Sequence, residues 1–468
     1  TGILAPLSGR YPGPAQQLTD NHDGIRMNRA DHTDIDTLLF PHWILPMTEG
    51  CPVLEGHALA IRDGMIDAIL PADEARRLNT KEHVELPEHA LMPGLINAHG
   101  HSAMSLFRGM ADDQPLHTWL NDHIWPAEGR WVSEEFVRDG SALAIAEMLR
   151  GGTTTFSDMY FFPEVTADIA RRAGIRAQLS FPIFDFPSAW GSGPEEYFRK
   201  GLALRDTYKH SDTIFVAFGP HAPYTVGDDA LGKVAMFAEE LDAPIQIHLQ
   251  ETAQEVDDAV KQTGLRPIER LAKLGILGPR TQCVHLTCLS EDDIALLAQH
   301  RSHAIHCPES NLKLASGFSP VEAMRAAGVN VALGTDGAAS NNDLDLFGEL
   351  RTAALLGKAV ASNAAAVPDH YALSMATING ARALGIDHLV GSLEAGKQAD
   401  VIAIDLSDLA QQPVYTPVSQ LVYTQISHRV QHSWIKGRRI LDNGALTTLD
   451  SRELIEKAQY WRRKISGE

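Results

Sequence analysis

The chain has 468 residues, of which 44% are hydrophobic and 21% charged, values typical of a large globular protein. Its 40 Lys and Arg against 60 Asp and Glu give a formal charge of −20. This charge argues against a nucleic-acid ligand, because phosphate binding needs a basic face. No apolar run approaches the roughly 18 residues of a membrane span, and we expect no membrane partner and no secretory signal.

Residues 1–26 mix Pro, Gly and polar side chains without periodicity. We expect this stretch to be a flexible tail or an expression remnant, with Met27 as the natural start, and exclude it from the fold. The cysteines form no CxxC pair, which favours a reducing cytoplasm over a disulfide framework; they are Cys51, Cys283, Cys288 and Cys307.

Between residues 27 and 90, short β-rich runs are separated by turn residues. One run begins at Asp36, and the next begins at His57 and reverses at Asp63-Gly64, a dipeptide typical of β-hairpins. We expect this region to be the first part of a small β domain.

From about residue 91 to 390, short apolar runs alternate with helix-period segments, as in repeated βα units. One helix is bounded by a start signal at Ser133 and a stop signal at Gly151-Gly152. Two further helical stretches, 343–362 and 369–384, follow the last run. Eight apolar runs predict an α/β fold of the (β/α)₈ TIM-barrel type; they are Leu91–Ala98, Thr153–Asp158, Gly174–Phe184, Thr213–Gly219, Ala243–Leu249, Thr281–Leu286, His303–Cys307 and Val329–Gly334.

The β-rich texture returns in residues 391–468, at Ala399–Asp405 and Ser433–Ile440, before a final helix. We therefore expect the two chain ends to join in one small, discontinuous β-sandwich beside the barrel.

Polar side chains lie at the carboxyl ends of several predicted strands, where barrel active sites form. His99 and His101 close the first strand and point to the same side, because strand side chains alternate. Other strand ends carry His248 with Glu251, His285 and Asp336. A single histidine beside an apolar strand is usually structural, but burying this whole set without a common ligand would be costly. Three imidazoles and one carboxylate suit Zn²⁺, with Fe²⁺ or Mn²⁺ as alternatives.

Several stretches resemble the amidohydrolase superfamily and its 5′-methylthioadenosine/S-adenosylhomocysteine deaminase branch. The run MPGLINAHGH at Met92–His101 is similar to the strand-1 signature of the superfamily, and Gly396–Val401 is similar to its tail motif. The resemblance extends from about residue 35 to the C-terminus. The stretches similar to the deaminase branch are Gly219–Tyr224, His248–Thr252, Ser310–Ala315 and Gly334–Asn341.

The resemblance implies one metal ion held by His99, His101, His248 and Asp336. Many dinuclear relatives carry a bridging lysine on strand 4, but here Thr213–Pro220 contains none, which indicates a single ion.

The resemblance also assigns three catalytic roles around a water activated by the ion. Asp336 would take a proton from that water and pass it to the departing ammonia. His285 would hold the nucleophile and steady the tetrahedral centre. Glu251 would protonate a ring nitrogen, for which burial shifts its pKa in the required direction. The alternative for Glu251 is an ordinary carboxylate at a helix N-terminus.

Five further residues are expected near the substrate by the same resemblance. Trp119 and Glu128, spaced nine apart, would line the sugar region, with Glu128 accepting both ribose hydroxyls. His221 is similar to a substrate-contacting histidine. Ser340 and Asn341 would either contact the ligand or shape the loop after Asp336.

Phe181 stands where we expect an arginine in relatives that accept S-adenosylhomocysteine. A bulky apolar group there would suit a methylthio tail and offer no partner to a carboxylate. We therefore rank 5′-methylthioadenosine as the substrate, with S-adenosylhomocysteine or adenosine as weaker ones.

Two alternatives remain at this point. The same scaffold deaminates or dechlorinates free rings such as guanine, cytosine or triazines, and some superfamily members are catalytically dead scaffolds. The unrelated zinc deaminases are excluded, because their P-C-x-x-C signature is missing from the sequence. A homo-oligomer, dimer or tetramer, is a further family expectation.

Overall fold

Eight parallel strands, paired in chain order, form the larger unit of the computed structural model, which describes residues 34–50 and 52–467. The predicted (β/α)₈ barrel is confirmed, whereas the predictions for residues 1–26 and Cys51 lie outside the described residues. The main-chain N–H of Ala98 donates to Leu333 O (2.8 Å) and links the first strand to the eighth. The barrel strands are Leu95–Asn97, Thr153–Asp158, Arg176–Ile183, Ile214–Pro220, Ile245–Leu249, Thr281–His285, His303–His306 and Val331–Leu333.

Helices surround the barrel and extend the loops at its carboxyl end. The predicted helix start is confirmed, since Ser133 Oγ accepts the main-chain N–H of Phe136 (3.3 Å). The barrel-unit helices are Ser102–Phe107 (3₁₀), Leu116–Thr118, Trp119–Ile124 (π), Trp125–Trp131, Glu134–Arg150, Pro163–Ala173, Pro194–Tyr208, Asp228–Glu240, Ala253–Thr263, Pro267–Lys273, Glu291–His300, Pro308–Lys313, Val321–Ala326, Ala338–Asn341, Leu346–Val360, Asp369–Met375 and Ile378–Ala383. None of the described helices has the length and apolarity that crossing a membrane requires.

Strands from both chain ends form one nine-stranded sheet beside the barrel. This sheet is the small discontinuous β domain that the sequence predicts. The Asp63-Gly64 hairpin is present, with both residues at positive φ. The sheet strands are Ile35–Ile44, Leu54–Glu55, His57–Arg62, Met65–Pro71, Thr80–Pro93, Val401–Asp405, Val430–Ile435, Arg438–Asp442 and Ala445–Leu446, and the accompanying helices are Ala72–Ala75, Leu409–Gln411 (3₁₀), Pro417–Tyr423 and Ser451–Ser466.

The strand predicted at Leu91–Ala98 is divided between the two units at Gly94. Residues before Gly94 end a long strand of the sheet, and residues after it begin the barrel. A Cβ at Gly94 would lie 2.1 Å from Thr154 Oγ1, so only glycine allows the chain to pass this close to the second barrel strand.

One strand of the sheet attaches the two units to each other. In Val401–Asp405, Val401 and Ala403 pack in the core of the sheet, whereas Ile402 and Ile404 pack in the core of the barrel. This alternation follows from the two-residue period of a strand. The adjoining Asp400 pairs with Arg176 of the third barrel strand, and both side chains are fully buried.

Candidate active site

Three imidazoles converge at the carboxyl end of the barrel. Their candidate ligand nitrogens, on His99, His101 and His248, all lie within 4.8 Å of one another, and the Nε2 atoms of His99 and His248 are 3.2 Å apart. Asp336 follows the eighth strand, and its Oδ1 lies 3.5 Å from His99 Nε2 and 3.2 Å from His101 Nε2. The four predicted ligands therefore meet at one point.

The other nitrogen of each ring faces an oxygen that can only accept a hydrogen bond. His99 Nδ1 lies 2.9 Å from Gln246 Oε1, His101 Nδ1 lies 2.6 Å from Met159 O, and His248 Nδ1 lies 2.8 Å from His221 O. Each Nδ1 therefore carries the proton, and each Nε2 turns a lone pair towards the centre.

This arrangement fits a bound cation. Facing lone pairs at 3.2 Å repel each other unless a positive charge lies between them. A tetrahedral ion with Zn–N distances of about 2.0–2.1 Å would place its ligand nitrogens about 3.4 Å apart. The orientation of Gln246 is fixed as well, since its Nε2 donates to Ala98 O (2.9 Å) and leaves Oε1 for His99.

The Asp336 carboxylate is held from one side. Its Oδ2 accepts hydrogen bonds from Ser310 Oγ (2.6 Å) and Ser340 Oγ (2.8 Å), which leaves Oδ1 for the centre. Asp336 lies in the left-handed region, with φ 60°. A Cβ on Gly334 would lie 2.8 Å from His99 Cβ, so glycine allows the eighth strand to pack against the first ligand.

Glu251 lies beside this cluster at the end of the fifth strand, with 7% of its surface exposed. Its Oε1 accepts a hydrogen bond from Ser316 Oγ (3.2 Å), and its Oε2 lies 3.7 Å from His285 Nε2. Burial, assisted by the negative charge of Asp336, raises the pKa of Glu251 to about 8. This shift favours the protonated form of the carboxyl, which can donate a proton.

One segment after the seventh strand supports three of these side chains. Ser310 donates to Asp336, Asn311 Oδ1 lies 2.9 Å from His285 Nδ1, and Ser316 donates to Glu251. In the sequence, Ser310–Ala315 contributed only to the resemblance, and no role was expected for Ser310, Asn311 or Ser316. The available signal was a group of polar residues, Glu309–Asn311, shortly after a buried strand.

The cluster opens into a pocket with a largely apolar wall. The predicted substrate residues Trp119, Glu128, His221 and Ser340 all line it. None of the described lining residues is Lys or Arg; the apolar and aromatic ones are Met104, Leu116, Leu120, Ile124, Trp125, Met159, Tyr160, Phe161, Pro182, Phe184, Phe186, Tyr224 and Leu314.

Glu128 is half-buried in this wall. Its Oε1 accepts a hydrogen bond from Tyr160 Oη (2.7 Å), a contact that sequence reasoning missed. Burial raises the pKa of Glu128 to about 7, and the Tyr160 hydrogen bond opposes that rise.

The expectation for Phe181 is wrong. Its ring is fully buried between the barrel and the helix Pro194–Tyr208, and its centroid lies 5.0 Å from that of Phe218. The helix passes so close that a Cβ on Gly201 would lie 2.3 Å from the Phe181 ring. Phe181 does not line the pocket, which Phe184 and Phe186 do instead.

Asn341 shapes the loop after the eighth strand. Its Nδ2 donates to Thr335 O (2.9 Å) and to Glu349, and it is not among the residues that line the pocket. Of the two roles considered for this residue, the structure shows the contact within the loop.

Comparison with known families decides the classification. Residues 90–440 match the sequence model of the Amidohydrolase family. The chain belongs to the amidohydrolase family. This membership agrees with a barrel that carries metal-ligand residue types at its strand ends.

Among similar proteins, a 5-methylthioadenosine/S-adenosylhomocysteine deaminase from Saccharophagus degradans is 56% identical over 440 residues, 94% of this chain and 99% of that one. The crystal structure of an adenosine deaminase from Xanthomonas campestris with bound zinc is 48% identical, with a TM-score of 0.92 over 93% of this chain and 99% of that one. An atrazine chlorohydrolase from Arthrobacter aurescens complexed with zinc is 22% identical, with a TM-score of 0.85 over 91% and 99%, and shows the shared fold.

Proposed function

We propose that this amidohydrolase uses one zinc ion to deaminate an adenine nucleoside, with 5′-methylthioadenosine converted to 5′-methylthioinosine and ammonia. The observation that carries the proposal is the buried Glu251 carboxyl, which lies beside His285 and lines the same pocket as His101, His248 and Asp336. The names of the S. degradans and X. campestris relatives support the reaction class, and the zinc in the latter supports the metal.

His99, His101, His248 and Asp336 would hold the zinc ion. When bound, the ion supplies a nucleophile at neutral pH by lowering the pKa of water to about 7. The second nitrogen of each histidine is already tied to an acceptor, and this fixes the orientation of the rings before the metal arrives.

The protons move between two carboxyl groups. Glu251 donates its proton to the ring nitrogen next to the amino-bearing carbon, while Asp336 accepts a proton from the attacking water. Asp336 then protonates the departing amino group, which leaves as ammonia. The hydroxyl proton on the new tetrahedral carbon returns to Glu251 as the carbonyl forms. The Nδ1–H of His285 donates to Asn311 Oδ1, so its Nε2 accepts a hydrogen bond from the new hydroxyl group.

The pocket wall favours a nucleoside with an uncharged 5′ group. Its aromatic side, with Phe184 and Phe186, suits a methylthio group, and no described lining residue is a cation that could pair with the carboxylate of S-adenosylhomocysteine. The ribose of the nucleoside would lie against Trp119 and His221, with its hydroxyls on Glu128. This ribose contact favours a nucleoside over free guanine, cytosine or a triazine.

A panel of substrates tests the proposal with zinc-loaded protein. We expect kcat/KM for 5′-methylthioadenosine to exceed that for S-adenosylhomocysteine by about tenfold or more. The reason is that the carboxylate of S-adenosylhomocysteine would stay unpaired in the pocket, at a cost of about 1–3 kcal/mol. The measurement is the absorbance change from adenine to hypoxanthine, with ammonia release for guanine, cytosine and triazines. A preference for a free ring would contradict the nucleoside assignment, and no turnover of any panel member would contradict an active deaminase.

The acid role of Glu251 predicts a decline of kcat/KM at alkaline pH. Only the protonated carboxyl donates, and its pKa is raised to about 8, so activity should fall as the pH rises through that value. A bound cation lowers the midpoint, because positive charge favours the carboxylate. The measurement is the pH dependence of kcat/KM for 5′-methylthioadenosine. A profile that stays flat well above pH 8 would contradict the role.

A further inference from the structure

Tyr160 lies two residues beyond the end of the second barrel strand and has no part in the reaction described above. Its side chain is 4% exposed, its ring lines the pocket, and its hydroxyl donates to Glu128 Oε1 at 2.7 Å. The two residues come from different elements, since Glu128 lies in the helix Trp125–Trp131.

The position of the Tyr160 hydroxyl is fixed by its surroundings. The ring belongs to a buried cluster with Phe107, Phe136 and Trp461, and its centroid lies 5.1 Å from that of Phe161. The preceding residue, Met159, binds His101 through its main-chain carbonyl. Two consecutive residues, Met159 and Tyr160, therefore contact the predicted metal ligand His101 and the predicted ribose-binding carboxylate of Glu128.

A carboxylate can accept two ribose hydroxyls only in one rotation about its terminal bond. Glu128 is otherwise free to rotate, since the torsion next to a carboxyl group has a broad, shallow profile. The Tyr160 hydrogen bond occupies one lone pair of Oε1 and thereby fixes the plane of the carboxylate.

We propose that Tyr160 is a positioning residue that makes the enzyme selective for nucleosides with 2′ and 3′ hydroxyls, by orienting Glu128 towards the sugar. This inference rests on the proposed function, in which Glu128 contacts the ribose. It extends that function by naming a second residue that determines which sugars are accepted.

The test compares Tyr160→Phe with the unmodified enzyme on 5′-methylthioadenosine and on its 2′,3′-dideoxy analogue. Phenylalanine keeps the ring packing and removes only the hydroxyl. For 5′-methylthioadenosine, we expect KM to rise about tenfold and kcat to change less than about twofold, as for the loss of one hydrogen bond to a charged group. For the dideoxy analogue, both constants should stay unchanged. Tyr371→Phe removes a hydroxyl from a distant helix and serves as the control.

A parallel Glu128→Gln variant separates the proposed contact between Glu128 and the ribose from the proposed role of Tyr160. If this variant weakens only the hydroxylated substrate and Tyr160→Phe does not, the ribose contact stands and the inference about Tyr160 is overturned. Equal effects of Tyr160→Phe on both substrates would also overturn it, because Tyr160 would then contact another part of the nucleoside. If Glu128→Gln does not distinguish the substrates, the ribose contact itself fails, and the inference fails with it.

Discussion

Glu251→Gln should lower kcat by about two to four orders of magnitude, the usual contribution of general acid catalysis, while leaving the protein folded and metal-loaded. Glutamine has the shape of the protonated carboxyl and keeps an oxygen that can accept from Ser316 Oγ. It has no proton of suitable acidity for the ring nitrogen. The measurements are kcat and KM for 5′-methylthioadenosine, with metal content by elemental analysis.

Glu291→Gln provides a matched control, since it makes the same chemical change at an exposed position in the first turn of a distant helix. This variant should match the unmodified enzyme. An unimpaired rate in Glu251→Gln would remove Glu251 from the proton transfer. Loss of the metal in that variant would show that the residue supports the metal site, and its kinetic effect would then carry no information on acid catalysis.

Arg176→Met should give the largest loss of stability among single changes away from the pocket. The Arg176 guanidinium contacts both Asp400 oxygens (2.9 and 3.1 Å from Nη2) and Gln398 Oε1 (2.6 Å), and both charged residues are fully buried. Methionine fills most of the space but leaves the Asp400 charge buried without its partner. Breaking such a pair costs about 3–5 kcal/mol of unfolding free energy. Urea unfolding followed by circular dichroism measures the loss.

The double variant Arg176→Met/Asp400→Asn tests the origin of that loss. Asparagine removes the buried charge and keeps an oxygen for the main-chain N–H of Lys436, which donates to Asp400 Oδ1 at 2.9 Å. The double variant should therefore be more stable than Arg176→Met alone. A double variant as unstable as the single one would show that the loss comes from packing and not from the unpaired charge.

The sequence was sufficient to predict the barrel because its strands are buried on both faces and read as short apolar runs between helical segments. The same property explains one of the two errors of detail. In Leu91–Ala98 one apolar run crosses from the sheet into the barrel, and the boundary depends on how closely Gly94 approaches Thr154, a contact between distant elements. In the third strand, the two-residue period places Phe181 on the same face as Leu179 and Ile183, opposite the polar face that carries Gln178 and Ser180. This alternation already indicates that Phe181 faces away from the pocket, and the expectation from the family resemblance overlooked it.

The site was predictable where a residue type alone carries the chemistry. Histidine and carboxylate at strand ends are unusual enough to indicate a metal, and the structure brings His99, His101, His248 and Asp336 together. Supporting residues could not be identified in this way. Gln246 contacts His99 and Tyr160 contacts Glu128, in each case through a hydrogen bond to a residue far away in the sequence. An isolated Gln on a strand, or a Tyr just after one, is compatible with many other contacts.

The packing of Trp461 has a consequence for synthesis on the ribosome. Trp461, in the helix Ser451–Ser466, lies in the buried cluster that includes Phe107 and Tyr160 behind the pocket wall. The predicted ligands His99 and His101 are translated long before it. A nascent chain that has exposed its eight barrel strands still lacks the indole that packs against Phe136 behind this wall. The cluster behind the pocket is therefore completed late in translation, after the metal ligands have all emerged.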